Sequence, residues 1–142
     1  MESTIKFTLL LTSFFLFFNF SLAAQDTTST EKAWEIPDEF KTMENPTDPR
    51  DRGNIMDGKY IYSKECSSCH GESGMGDGSK ASELEGYLGD FSDPAFFEEN
   101  TDGELFYKIK TGRGDMPSFG EEFRYEEDIW LVIDYIKTLP EQ

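Results

Sequence analysis

Both cysteines of this 142-residue chain and its single histidine fall in one run, Cys66-Ser67-Ser68-Cys69-His70. That limits the fold more than any other feature. No disulfide can tie distant segments together, and small domains, which bury only a modest fraction of their surface, often need such a staple. The chain has room for one domain of ordinary size. Something bulky and apolar must therefore complete its interior, and the run that holds every thiol is the place to look for its attachment.

The front of the chain bears on where those thiols live. Met1 to Lys6 is a short polar start, Phe7 to Leu22 is mostly Phe and Leu, and Ser21-Leu22-Ala23-Ala24 supplies the small residues at which a signal peptidase cuts. Residues 1–24 read as a secretory signal peptide, which places the mature chain in the periplasm or otherwise outside the cytoplasm. An uncleaved membrane anchor is the alternative, because Phe7 to Ala24 approaches the roughly 18 apolar residues at which a span becomes possible. Thr8, Thr12, Ser13 and Asn19 dilute that segment, polar residues follow from Gln25, and no later segment could cross a bilayer. Outside the cytoplasm an exposed CxxC pair oxidises unless its sulfurs are otherwise consumed. The formal net charge of -16 lies entirely beyond the leader, since Glu2 and Lys6 cancel. Such a surface repels nucleic acid and anionic lipid and favours partners with a basic docking face.

Residues 25–53 are polar and interrupted by Pro37, Pro46 and Pro49, which predicts an extended arm. Its one apolar knot, Trp34-Glu35-Ile36-Pro37, is expected to pack on the domain surface in preference to docking a partner. The organised part of the chain is expected over 54–142. Asn54 is a suitable N-cap, and Ile55, Gly58, Tyr62 and Cys66 recur at helical spacing, which predicts a first helix running into the CxxCH run. Gly58 inside it costs about 1 kcal/mol relative to Ala, which implies that another helix crosses closely there. Asp93-Pro94 reads as an N-cap followed by proline at the first helical position. Thr101 and Glu104 have capping-box spacing before a helix bearing Leu105, Phe106 and Ile109 that Gly112 ends. A last helix is expected over 126–139, with Val132, Tyr135, Ile136 and Leu139 in one stripe and Ile129 and Ile133 beside it. No run alternates as a strand would. The predicted fold class is all-α, with short helices wrapped around a central group.

Four chemistries compete for the cysteine–histidine run. A thioredoxin-like dithiol needs a CxxC beside a βαβ pattern, and no strands are expected. A structural zinc site needs four ligands, and two cysteines and one histidine leave a carboxylate to complete an atypical set. A disulfide between Cys66 and Cys69 would close a tiny loop and leave His70 unexplained. CxxCH is the attachment signature of a c-type haem. Two cysteines three apart on a helical turn can each bond one vinyl group of a porphyrin, and the histidine that follows directs its imidazole at the iron. The sulfurs are then consumed as thioethers, and the macrocycle supplies the missing core. Among candidates for the sixth ligand, Met75 is five residues from His70, at most roughly 17 Å of chain, too short to pass around the haem edge. Met56 lies off the inward face of the first helix, and Met43 lies in the arm. Met116 sits in a loop between Gly112, Gly114 and Pro117, where Pro117 biases it toward an extended backbone.

The segment CSSCHGESGMGDG, with GRGDMPSF around Met116 farther on, resembles the small class I monohaem cytochromes c over about Asn54 to Leu139. The resemblance implies one haem c bound through Cys66 and Cys69, with His70 as proximal and Met116 as distal ligand. It also implies that the first helix crosses the last through Gly58 and Tyr62 against Val132 and Tyr135. The chain departs from that pattern in having no proline between His70 and Asp93, so the backbone acceptor for the imidazole N–H is unassigned. Its acidic balance also differs from the lysine-ringed mitochondrial members.

Two lookalikes receive simpler readings. Gly76 to Ala81 fits GxGxxA, but no strand precedes it, so its glycines are expected to let the backbone hug the macrocycle. Arg113-Gly114-Asp115 is a coincidental adhesion tripeptide. Phe91, Phe96, Phe97, Phe106, Phe119 and Trp130 are expected to line the haem pocket and core. The function expected is one-electron transfer between redox proteins, without substrate turnover. The alternatives are a haem-based gas sensor or weak peroxidase with a labile sixth ligand, and a tethered subunit of a larger oxidoreductase with the arm as its docking strap.

Overall fold

The computed structural model describes residues 33–141. The expected leader, residues 1–24, lies outside them. In chain order the helices are α1 (Asp38–Lys41), α2 (Arg52–Glu65), α3 (Ser67–His70), α4 (Pro94–Glu99), α5 (Asp102–Thr111) and α6 (Glu127–Ile136), with 3₁₀ turns at Ala81–Glu83 and Leu139–Glu141. Among the described residues there is no strand, only an isolated bridge between Arg113 and Met116. None of these helices is long and apolar enough to cross a membrane.

Local chemistry sets most helix ends. The Asp93 carboxylate caps α4 by accepting from the Ala95 N–H at 2.9 Å, with Pro94 at the first helical position. Thr101 and Glu104 form the expected reciprocal capping box on α5, which Gly112 ends. The start of α2 differs from expectation. Asp51, not Asn54, is the cap, accepting from Gly53 and Asn54 N–H at 2.7 and 3.2 Å. Asn54 instead donates its side-chain amide to the Asp48 carbonyl. Both residue types cap well, and the one that lets Arg52 and Gly53 join the helix prevails.

The most extensive helix pair is α2 on α6. It depends on Gly58, where a Cβ would overlap the Leu131 carbonyl oxygen and approach the Tyr135 Cβ to 3.1 Å. One turn on, Tyr62 packs its ring against Tyr135, with centroids 5.3 Å apart. The apolar stripe of α6 is buried throughout, from Ile129 to Ile136, and continues to Leu139. Behind it, Phe106 of α5 stacks on Trp130 at 4.3 Å.

The arm is less extended than its prolines imply. Residues 38–41 form one helical turn, because Phe40 gains a stack on Phe106 and a tilted contact with Tyr107 at 4.9 Å. Gly103 makes room for it, since a Cβ there would overlap the Phe40 carbonyl. Farther along, Asn45 and Thr47 donate side-chain hydrogen bonds of 2.7 and 2.6 Å to the buried Asp134 carboxylate on α6. The arm thus lies on α5 and is fastened to α6 by a buried polar contact.

Candidate haem site

The cysteine–histidine run is shaped by a helix that breaks and restarts. Cys66 closes α2 and its carbonyl opens α3, accepting from Cys69 and His70 N–H at 3.1 and 2.9 Å. Residues three and four apart share one helix face. Cys66, Cys69 and His70 accordingly line a single cavity of about 1120 Å³. Tyr62 braces the far end of this turn by donating its hydroxyl to the Gly71 carbonyl at 2.7 Å. The glycine loop that follows wraps the turn itself: Gly76 N–H donates to the His70 carbonyl at 2.8 Å and Gly78 N–H to that of Cys69 at 3.2 Å. Neither glycine lines the cavity, so the expectation that they hug a macrocycle gives way to a bracing role for the motif backbone.

Much of the cavity wall is apolar, supplied by side chains from the helices and loops around it. Phe91, Phe96, Leu105, Ile109, Phe119 and Ile136 contribute. Phe106 and Trp130, expected in core or pocket, belong to the core behind it. The imidazole of His70 lies nearly parallel to the Phe91 ring, 4.9 Å between centroids.

Burial dominates the electrostatics here. Desolvation lowers the His70 pKa and so keeps the imidazole neutral, with a nitrogen lone pair to offer. The Leu88 backbone partly opposes that push without forming a hydrogen bond to Nδ1, which is buried and has no partner. Burial first, then the Glu65 and Cys69 charges, push the Cys66 thiol up to about 12. A thiol so held has little thiolate character at neutral pH, unlike the activated cysteine of a redox dithiol. Among the described residues, no group of three or more His, Cys, Asp or Glu side chains is placed to hold a metal ion.

Of the methionines, the structure brings Met116 to the cavity. It is half-buried, lines the same space as His70, and its backbone exchanges two hydrogen bonds with Arg113, at 2.9 and 3.0 Å. Met56 and Met75 are exposed, at 70% and 55%, and Met43, in the arm, packs against the core. Three wall residues were missed in the sequence reading. Lys108 and Arg113 place cations at the cavity, and Trp34 of the arm joins them there. Arg113 could have been suspected from its place three residues before Met116, whereas nothing near Lys108 or Trp34 in the chain ties either one to the cavity.

A large apolar cavity, two cysteines and a histidine on one turn, a neutral buried imidazole whose Nδ1 lacks a partner, and a thioether on the same cavity together fit a covalently held haem c. Comparisons with known proteins agree. The chain is similar over 34% identical residues to a chain of the Kuenenia stuttgartiensis reducing HAO-like protein complex, with a TM-score of 0.57, covering 66% of this chain and 46% of that one. It thus spans about half the length of that relative. A second solved structure, the KustC0563 c-type cytochrome, is 20% identical with a TM-score of 0.51, covering 58% of this chain and 95% of that one, a likeness of fold. No curated protein matches the chain. The family model described as cytochrome C oxidase, cbb3-type, subunit III matches residues 53–136, more than half of the chain. With an all-α fold built around a CxxCH turn, the chain belongs to this family of c-type cytochrome domains.

Proposed function

We propose that the protein is an exported monohaem electron carrier: Cys66 and Cys69 would hold one haem c by thioether bonds, and His70 and Met116 would ligate its iron. The observation that carries this reading is the meeting of those four side chains on one cavity. A haem c held there supplies an iron that accepts and releases one electron at a time. His70, kept neutral by burial, offers a nitrogen lone pair, and Met116 offers a soft sulfur. Such a pair raises the reduction potential relative to two nitrogen ligands. Phe91, Phe119, Ile109 and Ile136 would exclude water from the group, and His70 and Met116, if both ligate it, would leave no open position for a substrate. In this reading residues 1–24 are removed, 25–53 form the arm and 54–142 the haem domain.

The net charge of -16 suits brief, charge-steered encounters with redox proteins that present a basic face. A second reading is favoured by the 34% identity to a chain of a redox protein complex. In it, this domain serves as an electron-transfer subunit fixed within a larger oxidoreductase.

The test is the visible spectrum of the protein produced in a host that attaches haem c. A c-type reduced band, together with the weak far-red band of methionine-to-iron ligation in the oxidised form, is the expected result. Attached haem without the far-red band would remove Met116 as ligand and bring forward a gas sensor or weak peroxidase.

A further inference from the structure

The arm does more than cover α5, because its first described residues reach the cavity. Ala33 and Trp34 line it, some distance in sequence from anything else that does. The Trp34 indole lies beneath the Arg113 guanidinium, whose central carbon is 4.2 Å from the ring centroid. The Lys108 ammonium is 6.0 Å from the same ring, and Tyr107 meets it edge-on at 6.4 Å. One aromatic ring therefore serves two cations that would otherwise repel each other on a partly desolvated wall, a setting in which a cation over an indole is strengthened.

Arg113 is tied directly to Met116. Its N–H donates to the Met116 carbonyl at 2.9 Å, and the Met116 N–H donates back to the Arg113 carbonyl at 3.0 Å, closing a tight turn. A side chain that holds Arg113 therefore holds the loop that carries Met116. The arm can bear this load because it is anchored farther along, at Phe40 against Phe106 and Tyr107 and at Asn45 and Thr47 on Asp134.

We propose that Trp34 is a positioning residue for the Met116 loop: by clamping Arg113 it keeps the loop closed against the cavity and so keeps the Met116 sulfur in place. This inference rests on the reading of Met116 as an axial ligand. Its effect belongs to the equilibrium between closed and open loop, which makes it separable from overall stability.

The experiment uses the haem-loaded full chain and two readouts on wild type, Trp34→Ala, Trp34→Phe, Arg113→Gln and the Trp34→Ala/Arg113→Gln double variant. The first is backbone hydrogen exchange across residues 112–118, which reports loop opening whether or not Met116 binds iron. The second is imidazole titration of the ferric protein, read by loss of the far-red methionine band, since an occupant of the sixth site binds more tightly in proportion to the open fraction. Trp34→Ala is expected to speed loop exchange and tighten imidazole binding by about 2- to 30-fold, the range that loss of a cation–aromatic contact corresponds to. Trp34→Phe, which keeps a ring under the guanidinium and secures the test should the alanine variant fold poorly, is expected to fall between the two. In the Arg113→Gln background the Trp34→Ala change should add little, because the two act as one unit. Unchanged loop exchange in both Trp34 variants, or full additivity in the double variant, overturns the proposal. A missing methionine band in wild type with coupled loop exchange would remove the ligand reading and leave the clamp standing.

Discussion

At the scale of single residues, Met116 and Asp134 make opposite kinds of demand. In the proposed reading Met116 would serve the iron and contribute little to folding, since it sits half-buried in a loop. Met116→Ala should retain the covalent haem, which depends on Cys66 and Cys69, and lower the reduction potential measured by redox titration. An unchanged potential would mean that another group occupies the sixth position. Asp134 is a structural residue whose charge is out of place. Its carboxyl is buried, and burial pushes its pKa above the ordinary 3.8; hydrogen bonds from Thr47 and Asn45 pull it back, the Asp102 carboxylate adds to the rise, and Lys137 opposes it. The sign follows from linkage. The folded chain binds this proton at higher pH than the unfolded chain, so the contribution of Asp134 to stability grows as pH falls through the raised value and is lost as pH rises through it. Asp134→Asn should flatten that part of the profile, so that denaturation midpoints of wild type and variant differ more in favour of wild type near pH 4 than near pH 7. A pH-independent difference would show that Asp134 carries no raised pKa.

At the scale of elements, the crossing of α2 and α6 is the joint on which the site hangs, because α2 delivers the CxxCH turn and α6 closes the cavity with Ile136. Gly58→Ala sets two effects against each other. Alanine favours an isolated helix by about 1 kcal/mol, whereas the added methyl would overlap the Leu131 carbonyl and force the helices apart. Overpacking of that kind costs about 1–3 kcal/mol. The steric effect should win, so the holoprotein is expected to unfold at lower denaturant; a higher midpoint would mean that the crossing has slack. The ends of α4 and α5 were legible in the sequence because a cap needs only the residues beside it, as at Asp93-Pro94 and at Thr101 with Glu104. The start of α2 was not, because Asp51 and Asn54 are equally suitable caps and the choice rests on which neighbouring groups each can reach.

At the scale of the whole molecule, charge governs encounters. With a net charge of -16, association with a basic-faced redox partner should be steered over distances comparable to the Debye length, roughly 10 Å at 0.1 M salt. The second-order rate of electron exchange with such a partner is expected to fall steeply as salt rises from about 20 to about 200 mM. A salt-independent rate would favour a permanently assembled subunit.

The sequence by itself determined the class of the fold and put the proposed attachment residues in one run. The two cysteines and the histidine are adjacent along the chain, so a single helical turn suffices to place them together, and apolar spacing with local caps suffices to define helices. Tertiary structure alone decided which distant residues share the cavity and what holds them. Trp34 beneath Arg113, Asn45 and Thr47 on Asp134, and Phe40 on Phe106 are contacts between segments far apart in the chain. Taken singly, Asn45, Thr47 and Arg113 look like ordinary surface or loop positions. Their partnership comes from the crossing of α2 on α6 and the course of the arm over α5, which depend on packing and on no local pattern.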